Sequence, residues 1–560
     1  MANTIIGIFS RKDGGDPLAD LKSVTTWLAR QPTNDDLGMQ EAMIRLLEDM
    51  GAEQPKVTPS RVGAILELDR QSLLIQSRLI RQYLHPALSD LVRQRLWHAS
   101  DDLARWLAYT YENMFAAMQE FFISRKAKVL APAVASRMFY YRGVQAKQGL
   151  FRYERWIPGK WKGLHQAYAE AARRDAARIA YSPNPELAAD QRYSAEEEYL
   201  QILLLQRVNT GNLTPAQVEV VAAWLRGCAH MLALAPAPLE GNGFWLDLGL
   251  GDGLLVRKPQ SAQGVVLYLD VAPLHAEMEK GQIELSQLSA GAPNPQQRVD
   301  ASVRLALLRR VDPLLRPKSK PVERRGARMA TDRPLMVAVG LAEIAVVLHS
   351  SRADTQLAVA SERLRTGSPA EASAAAAPAD ADTSNVIEYP STEAAQSGWW
   401  MHDTSDSGCC LVSEASEAHR QRLGGVLGIR EKGDDRWKIG ISRRLKKLSG
   451  GRIEVGVEVI AQHSLLISPK PIASHNSGYT VDGIDVMLEG KGFDALYLPP
   501  GNSAPESPWR SMLVPAVEYA ERRRFFLTLG SSAYTVEFDT PIERAKDWVW
   551  TRFAVVSRVD

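Results

Sequence analysis

The chain has 560 residues, 45% of them hydrophobic and 24% charged, with a net charge of +2. That length suits roughly three or four domains, and that balance excludes the fibrous and disordered classes in favour of ordinary globular ones. A nearly neutral total says little about partners, so only a local cluster of charge would indicate an anionic ligand.

The opening Met-Ala-Asn-Thr-Ile-Ile-Gly-Ile-Phe has no basic leader and too short an apolar run for a signal peptide. From 65 to 122, apolar residues such as Ile75, Leu79, Tyr83, Leu103, Leu107 and Met114 recur at helical spacing, which predicts amphipathic helices packed on one another. Helix starts are expected at Ser100 before Asp101 and Asp102, at Ser194 with Glu197, and at Thr214-Pro215 with Gln217. The Ala- and Arg-rich stretch Gln166 to Tyr181 reads as another helix, with Arg174 and Arg178 on a solvated face. From about 242 the pattern becomes strand-like: Phe244 to Leu250 and Leu254 to Val256 flank an Asp252-Gly253 turn, and Val265 to Val271 follows. Glycines 249, 251 and 253 are spaced GxGxG, not GxGxxG, so a turn is favoured over a nucleotide loop.

Between 304 and 333 lie Arg304, Arg309, Arg310, Arg316, Lys318, Lys320, Arg324, Arg325, Arg328 and Arg333, against Asp312, Glu323 and Asp332. Prolines 313, 317 and 321 argue against a continuous helix, so the basic residues are expected on an exposed linker. Arg324 and Arg328 share one side whether the segment is extended, about 13 Å apart, or helical, about 6 Å apart. Guanidinium groups suit phosphate and also stack on purine faces. The nearly apolar Leu335 to Leu348 contains Glu343 and is too short for a membrane span. Thr366 to Ser384 is rich in Ala, Ser, Pro and Asp with no apolar periodicity.

Next comes Asp403-Thr404-Ser405-Asp406-Ser407-Gly408. Asp403 and Ser405 fall on one face of an extended segment, where a carboxylate accepts from guanine's N1–H and N2–H2 edge. Gly408 permits a turn or a close ligand approach. A DxSxxG match is expected roughly 0.1 times by chance in such a chain, whereas RxxxR is expected more than once; Arg174 to Arg178 is such a match. Cys228, Cys409 and Cys410 are too few for a disulfide framework, and no second ligand pair stands at zinc spacing, so a reducing compartment and no metal site are expected.

The pair RxxxR then DxSxxG, followed by Trp437 to Arg444 and Glu454 to Val459 as apolar strands, resembles the PilZ family of bacterial cyclic di-GMP receptors. The resemblance covers roughly 321–350 and 397–465. It implies a small antiparallel β-barrel with cyclic di-GMP on its surface, Arg324, Arg325 and Arg328 on phosphates and guanine faces, and Asp403, Ser405 and Gly408 on a guanine edge. The 74 residues between the motifs imply an insertion at about 350–397. The whole reads as multidomain α+β: a helical region 1–210, a mixed region 211–300, an Arg-rich linker plus barrel 301–465, and a further β-rich C-terminal module 466–560.

No HExxH, GxSxG, P-loop or spaced Cys/His set is present, and His98, His230 and His349 are isolated, so no catalytic residue is assigned. The leading reading is a cytoplasmic receptor whose ligand orders the Arg segment and changes how the helical region meets the C-terminal part or a protein partner, with no cofactor beyond the ligand. A scaffold that keeps the barrel without the ligand is the alternative. A nucleic-acid binder using the basic stretch ranks third.

Overall fold

In the computed structural model the chain divides into two compact units, Met1–Pro321 and Val322–Asp560. The residues described are 15–32, 34–118, 125–183, 192–238, 243–317, 329–350, 396–405, 407–418, 420–434, 436–472, 480–481, 484–485, 492–500, 509–529 and 532–559. Among them, no helix is long and apolar enough to cross a membrane.

The first unit runs α1 (Leu21–Ala29), α2 (Asp36–Glu53), α3 (Pro59–Tyr83), α4 (Asp90–Ala117), α5 (Arg125–Phe151), α6 (Pro158–Arg173), α7 (Ala195–Arg207) and α8 (Pro215–Cys228). There follow β1 (Leu234–Ala235), β2 (Gly243–Asp247), β3 (Val266–Asp270), α9 (Ala272–Gly291) and α10 (Pro295–Val311). The strands form an antiparallel sheet in the order β1-β3-β2, and one apolar core runs from Leu18 to Leu315. The starts of α7 and α8 are capping boxes: Ser194 and Thr214 accept from the backbone of Glu197 and Gln217, whose side chains reach back to the cap amides.

Three expectations change. Ser100 does not start a helix but lies buried inside α4, because no Gly or Pro interrupts 90–117 and Leu96, Leu103, Leu107 and Met114 continue one buried stripe. The helix expected over 166–181 ends at Arg173, and Asp175 at φ 55 turns the chain away. Arg174 is therefore not on a solvated face; its side chain is 4% exposed, bonded to Glu170 and the Phe115 carbonyl, while Arg178 bonds Glu196 and the Leu234 carbonyl. The basic stretch is no linker at its start. Arg304, Arg309 and Arg310 lie on α10, which has Pro295 in its first turn and none in its interior; Pro313 comes after its end.

The glycine-rich loop after β2 is held by close approaches. A Cβ on Gly249 would meet the Gln263 backbone at 2.3 Å, one on Gly251 would meet Pro158 at 2.7 Å, and one on Gly253 would meet Trp161 at 3.0 Å. A single bridge, Trp245 to Leu255, stands where a hairpin was expected. Beneath the loop His165 is buried: the Tyr199 hydroxyl donates to Nδ1 at 2.7 Å, and Nε2–H donates to the Asp252 carbonyl at 2.7 Å. Burial lowers the His165 pKa from 6.5, against the opposing pull of the Asp252 carbonyl, Asp247 and Asp252. With the folded value below the unfolded one, the unfolded chain binds more protons as pH falls through 6.5, so stability drops there and levels off below the folded value. Thermal melts of the parent between pH 7.5 and 5.5 should fall in midpoint, with a flatter trend in His165→Gln; parallel trends would remove His165 as the cause.

The second unit opens with β4 (Met329–Val339) and α11 (Leu341–Ser350), separated by Gly340 at φ +85, so the apolar stretch 335–348 is a strand and a helix. Then come β5 (Gln396–Ser405), β6 (Gly408–Ser413), a helical turn Ala415–Ala418, β7 (Val426–Glu431), β8 (Lys438–Lys447) and β9 (Ile453–Ala461). These six strands close an antiparallel barrel in the order β4-β5-β6-β9-β8-β7, with β7 pairing back to β4. The barrel and the strands at Trp437–Arg444 and Glu454–Val459 agree with the sequence reading. The expected insertion falls between α11 and β5, at 351–395, and Thr366 to Ser384 lies outside the described residues.

The remaining strands are β10 (Leu465–Ile467), β11 (Lys470–Pro471), β12 (Thr480–Val481), β13 (Ile484–Asp485), β14 (Ala495–Leu498), β15 (Ser511–Pro515), β16 (Arg524–Leu529), β17 (Ser532–Arg544) and β18 (Trp548–Val559). Seven of them form one antiparallel sheet, β10-β14-β15-β18-β17-β16-β11, around a core of Tyr497, Met512, Phe525, Val536 and Phe538. This is the expected β-rich C-terminal module.

Candidate functional site

The DxSxxG segment builds the hairpin between β5 and β6. Register pairs Asp403 with Cys410, Thr404 with Cys409 and Ser405 with Gly408, the last pair before the turn. Because paired residues share a face, the rows can be followed across the barrel. Cys409 pairs onward with Val457 and Leu411 with Val455, all buried, so that face is the interior. Asp403 therefore lies on the outer face, in a row that continues through Cys410 and Gly456 to Arg444. Ser405 lies on the same face, in the row of Gly408 and Glu458, while Thr404 falls on the other face.

Two local bonds hold the hook. The Ser405 hydroxyl donates to the Gly408 carbonyl at 3.1 Å, and the Val459 amide donates to the Ser407 carbonyl at 3.1 Å. A Cβ on Gly408 would lie 2.6 Å from the Val457 carbonyl oxygen, so the close approach that needs glycine is to β9. Gly456 has the Arg444 Cβ at 3.2 Å from its own ideal Cβ. The outer row thus has a bare floor at Gly456, with a carboxylate at one end and a guanidinium at the other.

The neighbouring charges are ordered. Arg444 donates to Glu454 at 2.6 Å; Arg443 donates to Glu458 at 2.8 Å and, bidentately, to Glu543 at 2.5 and 2.7 Å. Desolvation pulls the Arg443 pKa down, but the bonds and charges of Glu543 and Glu458 outweigh it and hold it above the usual value. Hollows of about 300 and 340 Å³ lie elsewhere, among the helices of the first unit. The hook is on a convex barrel surface, so a ligand there would need arms that close over it.

Arg324, Arg325 and Arg328 fall within 318–328, outside the described residues. Their attachment is nevertheless defined: Arg328 is bonded to Met329, the first residue of β4, and Met329 pairs with Thr404 while Ala330 pairs with Asp403. Of the other basic residues, Arg316 pairs with Asp312 and Glu279, and Arg333 with Glu431, whose pKa falls because the bonds to Arg333 and Lys438 outweigh its desolvation. The sequence reading did not assign Arg444 or Gly456 to the site. The tandem Arg443-Arg444 was visible, but only the bulge between Ser442 and Arg444 sets which guanidinium faces the Asp403 row. Among the described residues no group of three or more His, Cys, Asp or Glu is placed to hold a metal ion, and the three cysteines are buried and form no disulfide.

Two family models match the chain. One, described as the N-terminal domain of the cyclic-di-GMP receptor FimW, covers residues 22–238; the other, described as the middle PilZ domain of the same receptor, covers 348–465. The second match includes the Asp403–Gly408 hairpin but begins beyond the arginine segment. No curated protein matches the chain.

Proposed function

This chain belongs to the PilZ-domain family of cyclic-di-GMP receptors, and we propose that it reads cyclic di-GMP on the outer face of the first barrel, between the Arg324–Arg328 segment and the Asp403–Gly408 hairpin. The observation that carries this reading is the pairing of Met329 with Thr404: the arginine segment ends at Arg328, one peptide bond from a strand that pairs with the hook. Arg324, Arg325 and Arg328 supply guanidinium groups for phosphates and purine faces, and Asp403 accepts from a guanine edge. Ser405 and Gly408 set the hairpin that aims it.

Ligand then ties the arginine segment against the barrel, a step that alters how the helical unit meets a protein partner. We place the chain in the cytoplasm, which agrees with three buried cysteines that form no disulfide. No catalytic step is part of this reading.

A competition titration tests it. Labelled cyclic di-GMP should bind the folded chain and be displaced by unlabelled cyclic di-GMP but not by cyclic di-AMP, because adenine presents an acceptor at N1 where Asp403 needs a donor. No binding at concentrations on the order of tens of micromolar would end the receptor reading. Equal displacement by both dinucleotides, with a steep salt dependence, would favour non-specific phosphate binding instead.

A further inference from the structure

The C-terminal sheet repeats the circuit of the first barrel. Its two outermost strands, β10 and β11, are separated only by Ser468 and Pro469, so they are two parts of one segment that pairs with β14 at one end and β16 at the other. Counting that segment as the first strand and β14 to β18 as the second to sixth, the order is 1-2-3-6-5-4 and back to 1. The strands β4 to β9 follow the same order. Both circuits also carry their insertion between the first and second strands: α11 with 351–395 in one, β12 and β13 in the other.

The registers can be superimposed on the last pair of the second and third strands, Ser405 with Gly408 and Leu498 with Ser511. Two residues back, Asp403 corresponds to Leu496; two on, Cys410 corresponds to Leu513, and the next strand places Trp550 at Gly456. The polar row becomes Leu466, Leu496, Leu513 and Trp550. Leu496 is 1% exposed and lies in one apolar cluster with Ile344, Val347 and Leu348 of α11 and Trp437 of the first barrel. Trp548 Nε1 donates to the Gly424 carbonyl at 3.0 Å, and the Arg443–Glu543 pair is a second tie. Neither RxxxR nor DxSxxG occurs between 462 and 515.

We infer that the C-terminal module is a second barrel of the same circuit whose ligand-reading face has become the dock for α11 and the first barrel. The chain then has one cyclic-dinucleotide site, not two, and the second barrel works as the seat of the helix that follows β4. The site count rests on the proposed function; the docking role does not.

Hydrogen exchange on the full chain without ligand tests the dock. Leu496→Asp should speed exchange of the amides in 341–350 by about tenfold or more, with a smaller rise in Leu496→Ala, while Val517→Asp at an 87% exposed position of the same module leaves them unchanged. If Leu496→Asp also strips protection from β16 and β17, the milder variant decides. Unchanged exchange in 341–350 for Leu496→Ala, or equal acceleration by Val517→Asp, would overturn the docking role. Calorimetric titration of the parent should give one cyclic di-GMP per chain; two would overturn the conversion of the face, whereas none would count against the proposed function and leave the exchange result standing.

Discussion

Asp69→Ala will destabilise the helical unit by about 3–5 kcal/mol, a large fraction of the stability of an ordinary domain. Asp69 and Arg137 side chains are 1% and 2% exposed. The carboxylate accepts four charge-assisted bonds: from Arg137 Nε and Nη2 at 2.7 and 2.9 Å, and from the Tyr111 and Tyr141 hydroxyls at 2.6 and 2.5 Å. The guanidinium also lies over the Tyr140 ring at 4.0 Å, and Gln76 donates to the Tyr141 hydroxyl at 3.1 Å. Burial, and then the Asp69 charge, hold both Tyr111 and Tyr141 well above the ordinary tyrosine pKa, so both hydroxyls donate to the carboxylate. Desolvation disfavours the Arg137 cation, but the attraction of Asp69 outweighs it. Without Asp69 a cation is left in the core. Urea unfolding followed by circular dichroism gives the size, and the double variant Asp69→Leu with Arg137→Met should recover most of the loss because it leaves no lone charge. A loss below about 1 kcal/mol would mean that the network relaxes around the vacancy.

What could be read from the amino-acid order follows how local each cause is. The capping boxes at Ser194 and Thr214 were legible because the reciprocal bonds span only three residues. Ser100 carries a similar start pattern, yet tertiary burial of the stripe through α4 overrode it. The strands around Ile439 and Val457 were legible from alternation and β-branched content. Their register was not, and register is what puts Arg444 and Gly456 in the Asp403 row. Asp69 lay unnoticed between Leu68 and Arg70, since nothing in the order of residues says that Arg137, 68 positions away, will meet it. The second circuit was hidden for a related reason: its first strand is split at Pro469, and its neighbours in the sheet are distant in sequence.

The two units also separate two meanings of one motif. Arg174 and Arg178 satisfy RxxxR but are held by Glu170, Glu196 and backbone carbonyls of the helical unit. Arg324 and Arg328 satisfy it one residue before a strand that flanks the hook. Spacing alone is the same in both, so context must discriminate.

That difference sets the last expected result. Asp403→Ala and Arg328→Ala should each weaken cyclic di-GMP binding by roughly tenfold or more, because a charge-assisted hydrogen bond contributes about 1.5–3 kcal/mol and each side chain is proposed to make at least one. Asp403→Asn keeps the shape but presents one acceptor and one donor to an edge made of two donors, so it should bind weakly and discriminate less between cyclic di-GMP and cyclic di-AMP. Arg174→Ala should do the reverse, lowering the melting temperature of the helical unit while leaving the dissociation constant within about twofold, since its partners are Glu170 and the Phe115 carbonyl. Calorimetric titration at fixed salt, on variants whose circular dichroism matches the parent, measures all four. An Asp403→Ala protein that binds within about threefold of the parent would take the hook out of the site, and an Arg174→Ala protein that loses binding would move the site to the helical unit.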